Sequence, residues 1–169
     1  GLRRGRREED LMTNDTSALL QVDGFPLALD RLYQPETHMW IALSGPASAP
    51  TVRIGMDALG VETSGTLAQV ALPESGARLA AGQPFGEVEA VKFVGPLISP
   101  VSGAVRAVNA DAAADPGLVE RDPLGAGWLI EAELSDPADL GSLLGEPEEI
   151  TAWYAAKITE YRLSGAIAR

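Results

Sequence analysis

Apolar residues along this chain recur mainly at short alternating intervals, the period of strands with one buried face. Residues 39–43 and 51–54 predict two strands, joined by the turn-rich loop Ser44-Gly45-Pro46-Ala47-Ser48-Ala49-Pro50. Residues 56–59 predict a short helical piece at best, because Gly60 and Gly65 interrupt the pattern. A strand follows over 66–72, and residues 84–94, 97–98 and 103–108 predict a hairpin region. Along the first arm Val88 and Ala90 alternate with Glu87, Glu89 and Val91. Asp111 and Asp115-Pro116 read as caps of helical turns over 112–114 and 117–120. Residues 128–134 predict the last clear strand, with Trp128 as a core anchor. Residues 136–144 start with an N-cap aspartate and Pro137. From Pro147 a final helix carries Ile150, Trp153, Tyr154, Ile158 and Tyr161 on one stripe, expected to pack on the β core. Residues 27–33 fit either a helical turn or an irregular docking segment.

A length of 169 residues suits one domain with a proper core. The expected organisation is a flexible leader over 1–20, a β body over 21–145 and a helix over 146–169 packed on it. The glycine-led strands at 65–70 and 103–108 resemble each other and flank the hairpin, which hints at two related β halves. The chain has no cysteine, which excludes disulfides, thiolate metal sites and a cysteine nucleophile and is compatible with a reducing compartment. A net charge of −11 argues against nucleic acid and suits docking to basic clefts on partner proteins. No run approaches the ~20 apolar residues that a membrane helix needs. Arg3, Arg4, Arg6 and Arg7 lead into Glu8-Glu9-Asp10, not into the apolar core of a secretory signal, so a cytoplasmic protein is expected.

Candidate chemistry centres on Lys92. A lone lysine between two short β runs, with Gly95-Pro96 just after it, presents one amine at the tip of a hairpin. The chain has only one other lysine, Lys157, so a modifying enzyme meets few competing amines. Glu87 and Glu89 lack the pocket and substrate that a catalytic carboxylate pair would need. They read as charges on the hairpin face, which with Val91 and Phe93 would be recognised by a ligase or partner. His38, the single histidine, makes no ordinary zinc site without cysteines and reads as structural. None of Gly60, Gly65, Gly125 and Gly127 sits in a phosphate-binding loop.

Val88-Glu89-Ala90-Val91-Lys92 resembles the Val-Glu-Ser-Val-Lys attachment string of the glycine cleavage system H-protein family, with alanine in place of serine. His38-Met39-Trp40-Ile41, Leu72-Pro73-Glu74-Ser75-Gly76, Pro100-Val101-Ser102-Gly103 and Gly127-Trp128-Leu129 follow that family in order and spacing over roughly residues 30–140. Leu124 stands where the family's Asp-Pro-Tyr-Gly string has tyrosine. The resemblance implies a mostly β fold, a barrel-sandwich hybrid of two small antiparallel sheets with short helices and a C-terminal helix. It further implies a carrier, not an enzyme, with lipoate on Lys92 as a swinging arm. A lipoate ligase or lipoyltransferase would attach it. The arm would then move an aminomethyl group and reducing equivalents among glycine decarboxylase, aminomethyltransferase and dihydrolipoamide dehydrogenase. The string Lys92-Phe93-Val94-Gly95-Pro96 is also similar to H-protein-like lipoate-binding carriers of heterodisulfide-reductase-like sulfur oxidation, which would bring sulfur-oxidation enzymes as partners. A third reading is an unmodified scaffold domain.

Overall fold

A computed structural model describes residues 18–168. Within the described residues eleven strands form three antiparallel groups. A hairpin joins β1 (Leu19–Val22) to β2 (Phe25–Ala28). A six-stranded sheet runs β3 (Leu32–Gln34), β4 (Met39–Ser44), β5 (Thr51–Met56), β11 (Ile130–Leu134), β10 (Gly103–Val108) and β7 (Arg78–Leu79). A three-stranded sheet has β8 (Pro84–Ala90) between β6 (Leu67–Ala71) and β9 (Val94–Ile98). The fold is mostly β, as expected, and its sheets are open and not closed into a barrel. The two glycine-led segments lie in different sheets, as β6 and β10.

Strand alternation sets which side chains meet. Ile41, Val52 and Ile54 from the larger sheet share one aliphatic core with Val70, Val88 and Leu97 from the smaller. Each such side chain contributes about 1.5–3 kcal/mol when fully buried. On β8 the alternation turns Phe85, Val88 and Ala90 inward and leaves Glu87 and Glu89 exposed.

Among the described residues there are four helices, α1 (Ala58–Ser64), α2 (Ala110–Ala114), α3 (Gly117–Arg121) and α4 (Pro147–Ser164), with a 3₁₀ turn over Pro137–Ser142 capped by Asp136. The stripe on α4 faces in as its spacing requires. Ile150, Tyr154 and Ile158 are buried among Phe25, Leu27, Tyr33, Trp40 and Leu59, with Trp153 and Tyr161 at the margin. The helix ends at Gly165, whose left-handed backbone terminates the turn.

Several expectations are corrected. Residues 27–33 are neither helical nor irregular, because they supply β2 and the start of β3. The missed signal is Asp23-Gly24, which turns with φ of +49° and +92° and closes the β1–β2 hairpin. Leu19 and Leu20 belong to β1, so the flexible leader does not extend to residue 20; its part over 1–17 lies outside the described residues.

The helix α1 runs through Gly60 instead of stopping there. A Cβ at Gly60 would fall 2.8 Å from His38 Cβ and 2.9 Å from Met56 Cγ. Close approach therefore demands glycine despite its cost within a helix of ~1 kcal/mol. The Asp57 carboxylate caps this helix by accepting from Gly60 N at 2.8 Å. Asn109, not Asp111, caps α2, whereas Asp115 does accept from Gly117 N beside α3.

Trp128 lies before β11 and is only half-buried, with the Arg53 guanidinium 4.4 Å above its ring. The indole at the core is Trp40, 1% exposed, whose Nε1 donates to the carbonyls of Met56 and Pro123. A tryptophan fits the interior only where its N–H finds acceptors, and the chain crossing at Trp40 supplies two.

Candidate functional site

The hairpin tip carrying Lys92 is built by backbone bonding. Ala90 N donates to Phe93 O at 2.9 Å, so Val91 and Lys92 are the two turning residues. Gly95-Pro96 lies within β9 and is not the turn that the sequence suggested. The strand is the outer one of its sheet, an edge position that tolerates proline's missing N–H.

The tip does not hang free. Val91 N donates to Thr66 O at 3.0 Å and Lys92 N donates to Ser64 O at 2.8 Å. Both amides that a two-residue turn would leave to solvent are thus held by the α1–β6 connection. The side chains stay outside: Val91 is 77% exposed and Val94 63%, and Phe93 is also exposed, with its ring lying against Gly95. Glu87 and Glu89 pair across the ladder with Pro96 and Val94 and point to solvent on the outer face of this sheet. Lys92 and Phe93 line one groove at the tip, and Glu87 and Glu89 line another together with Val94.

The two lysines differ in their surroundings. Lys157 Nζ donates to Glu160 at 2.9 Å, and this bond raises its pKa above the ordinary lysine value. An amine must lose its proton before it can be acylated, so that pairing disfavours Lys157 as a nucleophile. Lys92 Nζ instead reaches the Ala166 carbonyl at 3.5 Å, just beyond α4.

A groove of about 440 Å³ opens beside Lys92, lined by Lys92, Phe93, Ser64, Thr37 and His38 among others. The Thr37 hydroxyl is buried there without a hydrogen-bond partner. His38 takes a left-handed conformation, φ +59°, in the turn before β4 and not within the strand. Its Nδ1 donates to the fully buried Asp57 carboxylate at 2.9 Å, and Nε2 shares a hydrogen bond of 2.7 Å with the Tyr161 hydroxyl. Burial is the leading cause of the raised pKa of Tyr161. The network ties α4 to the cap of α1. Sequence reasoning missed it, since neither Asp57 nor Tyr161 stands near His38 along the chain. Among the described residues no group of three or more His, Cys, Asp or Glu could hold a metal ion.

The family model for the glycine cleavage H-protein matches residues 32–156. The chain belongs to the glycine cleavage H-protein family. It is similar to the glycine cleavage system H protein of Mycobacterium avium (strain 104), 45% identical over 113 residues that span 67% of this chain and 83% of the relative. The corresponding protein of Bifidobacterium longum is 41% identical over 76% of this chain and 85% of its own length. A crystal structure of the H protein from Mycobacterium marinum superposes with a TM-score of 0.66 at 37% identity, covering 79% of this chain and 99% of that one. Family members are lipoyl carriers of the glycine cleavage system that hold lipoate on a lysine, and this is the function the family assigns here. The sulfur-oxidation alternative raised by Phe93-Val94-Gly95-Pro96 is not favoured, because these relatives carry the glycine-cleavage name.

Proposed function

We propose that Lys92 is the residue that carries lipoate, in amide linkage, and that the β8–β9 tip presents it to each enzyme of the glycine cleavage system in turn. The single observation behind this reading is the tip itself: one exposed amine on a backbone fixed by two cross-connections, ringed by exposed apolar side chains. The residues suit such a group, since the amine faces outward and the groove beside it leaves room for a tethered chain. When attached, lipoate supplies a dithiolane that accepts two electrons and whose thiols can carry a one-carbon unit.

The protein's own contribution is to hold and present. Val91 and Phe93 offer apolar contact area, and Glu87 and Glu89 offer negative charge to a ligase or lipoyltransferase. Glycine decarboxylase, aminomethyltransferase and dihydrolipoamide dehydrogenase are the partners that follow from the family. Tethering raises the local concentration of the reactive end at each partner, so docking need not be tight. The acidic surface raises the rate of encounter with basic clefts. The absence of cysteine suits work in a reducing compartment such as the cytoplasm.

The test is to incubate the apo protein with a lipoate ligase, lipoate and ATP and to map the adduct by peptide mass spectrometry. Modification confined to Lys92, and lost in Lys92→Arg, is expected. Modification at Lys157 would refute the assignment, as would none under conditions that lipoylate a control H protein.

A further inference from the structure

Between α1 and β6 the chain passes beneath the hairpin tip through Ser64, Gly65 and Thr66. The carbonyls on either side of Gly65 are the acceptors for the Val91 and Lys92 amides. Gly65 has φ +82° and ψ −160°, a region that is essentially glycine-only. A Cβ at this position would lie 3.2 Å from Lys92 Cε and 3.5 Å from Lys92 Cγ. The aliphatic stem of Lys92 therefore crosses the bare Cα of Gly65, and its amine emerges towards Ala166.

We infer that Gly65 is a positioning residue for acylation of Lys92, a role that rests on Lys92 being the attachment site. A lysine stem on an open turn samples many rotamers, and an enzyme that acylates it must freeze them. Here the backbone at the foot of the stem is fixed by two hydrogen bonds, and the stem has a flat surface to lie on. The amine thus leaves the tip in a restricted set of directions. In the reaction, the deprotonated amine attacks the acyl carbon of a lipoyl adenylate. A C–N bond forms, the acyl–oxygen bond to AMP breaks, AMP departs with the electron pair, and the surplus amine proton passes to solvent. A side chain at residue 65 would lift the stem and misaim the nitrogen, and a shift on the order of 1 Å costs about 10²-fold in rate.

The experiment compares the full chain with Gly65→Ala and Gly76→Ala as substrates for a lipoate ligase. Gly76 also has positive φ, +92°, but a Cβ there meets nothing within 4 Å, so it controls for backbone strain without the lysine contact. Gly65→Ala is expected to lose roughly tenfold or more in kcat with KM changed by less than about twofold, because the docking side chains are untouched. Gly76→Ala should match the parent. Parent-like turnover in Gly65→Ala, or an equal loss in both variants, overturns the positioning role alone. A parent that takes no lipoate at Lys92 overturns the attachment reading and this inference with it. A measurement on the parent stands independently of whether Gly65→Ala folds: nuclear Overhauser contacts from the Lys92 γ and ε protons to the Gly65 α protons are expected, and their absence overturns the inference.

Discussion

At the β8–β9 tip, Val91, Phe93 and Val94 turn apolar surface to solvent while the backbone amides of Val91 and Lys92 are both paired. At the seam under α4, Tyr33, Trp40 and Tyr154 are buried to the last few square ångströms, and each polar handle has a partner. Tyr33 Oη donates to Ala28 O at 2.6 Å and accepts from Ala28 N at 3.1 Å. Tyr154 Oη donates to Pro26 O at 2.9 Å. The seam uses side chains to stabilise the fold, whereas the tip is rigid through its backbone and keeps its side chains for other molecules. A carrier needs that separation, because a residue consumed in packing cannot also be offered to a succession of enzymes.

Substitutions at the seam should cost the most stability. Trp40→Ala should cost about 3–5 kcal/mol in denaturant unfolding, since it removes a buried ring and strands the carbonyls of Met56 and Pro123. A loss below about 1 kcal/mol would place the core elsewhere.

Tyr33→Phe is the milder cut. It leaves the Ala28 N–H and C=O without their hydroxyl partner, and about 1–3 kcal/mol should be lost. The same residue makes stability depend on pH. Burial raises the folded-state pKa of both Tyr33 and Tyr154, so the unfolded chain ionises first, near the ordinary tyrosine value of about 10. Stability from these phenols is fully present below that pH and is lost as pH rises from there towards the folded values. Unfolding followed from pH 8 to 12 should show this alkaline decline, and it should be shallower in Tyr33→Phe. An equally steep decline in the variant would assign the effect to other groups.

The smallest effect on stability belongs to the tip. Combining Phe93→Ala, Gly95→Ser and Pro96→Asp should change unfolding free energy by no more than about 0.5 kcal/mol, because Phe93 and Pro96 are exposed and the atoms nearest to a Cβ at half-buried Gly95 belong to the Phe93 ring that the first change removes. Lipoylation at Lys92 should persist, while KM with glycine decarboxylase shifts, because these residues adjoin the point where a docking enzyme must approach. An unchanged KM would remove Phe93, Gly95 and Pro96 from partner recognition.

Much of this was legible in local pattern. The alternation of Val88 and Ala90 with Glu87 and Glu89 set the inward and outward faces of β8. The spacing of Ile150, Tyr154 and Ile158 set the buried face of α4. The lysine between two β runs marked the tip, because a period of two and a turn are properties of a few neighbouring residues. Asp23-Gly24, which closes the β1–β2 hairpin, is an equally local signal.

What tertiary structure alone decided are the meetings of distant segments. Whether Trp40 or Trp128 is the buried indole depends on where two carbonyls, one of them 83 residues away, come to rest. Whether Gly60 ends a helix or sits inside one depends on His38 pressing against it from another element. The turn fell at Val91-Lys92 and not at Gly95-Pro96 because Ser64 and Thr66 take up the tip amides, and no pattern near Lys92 encodes those acceptors. Periodicity in a sequence reports which face of an element is apolar. It does not report which element will cover that face, because that choice is made by packing and hydrogen-bond satisfaction across the whole chain at once.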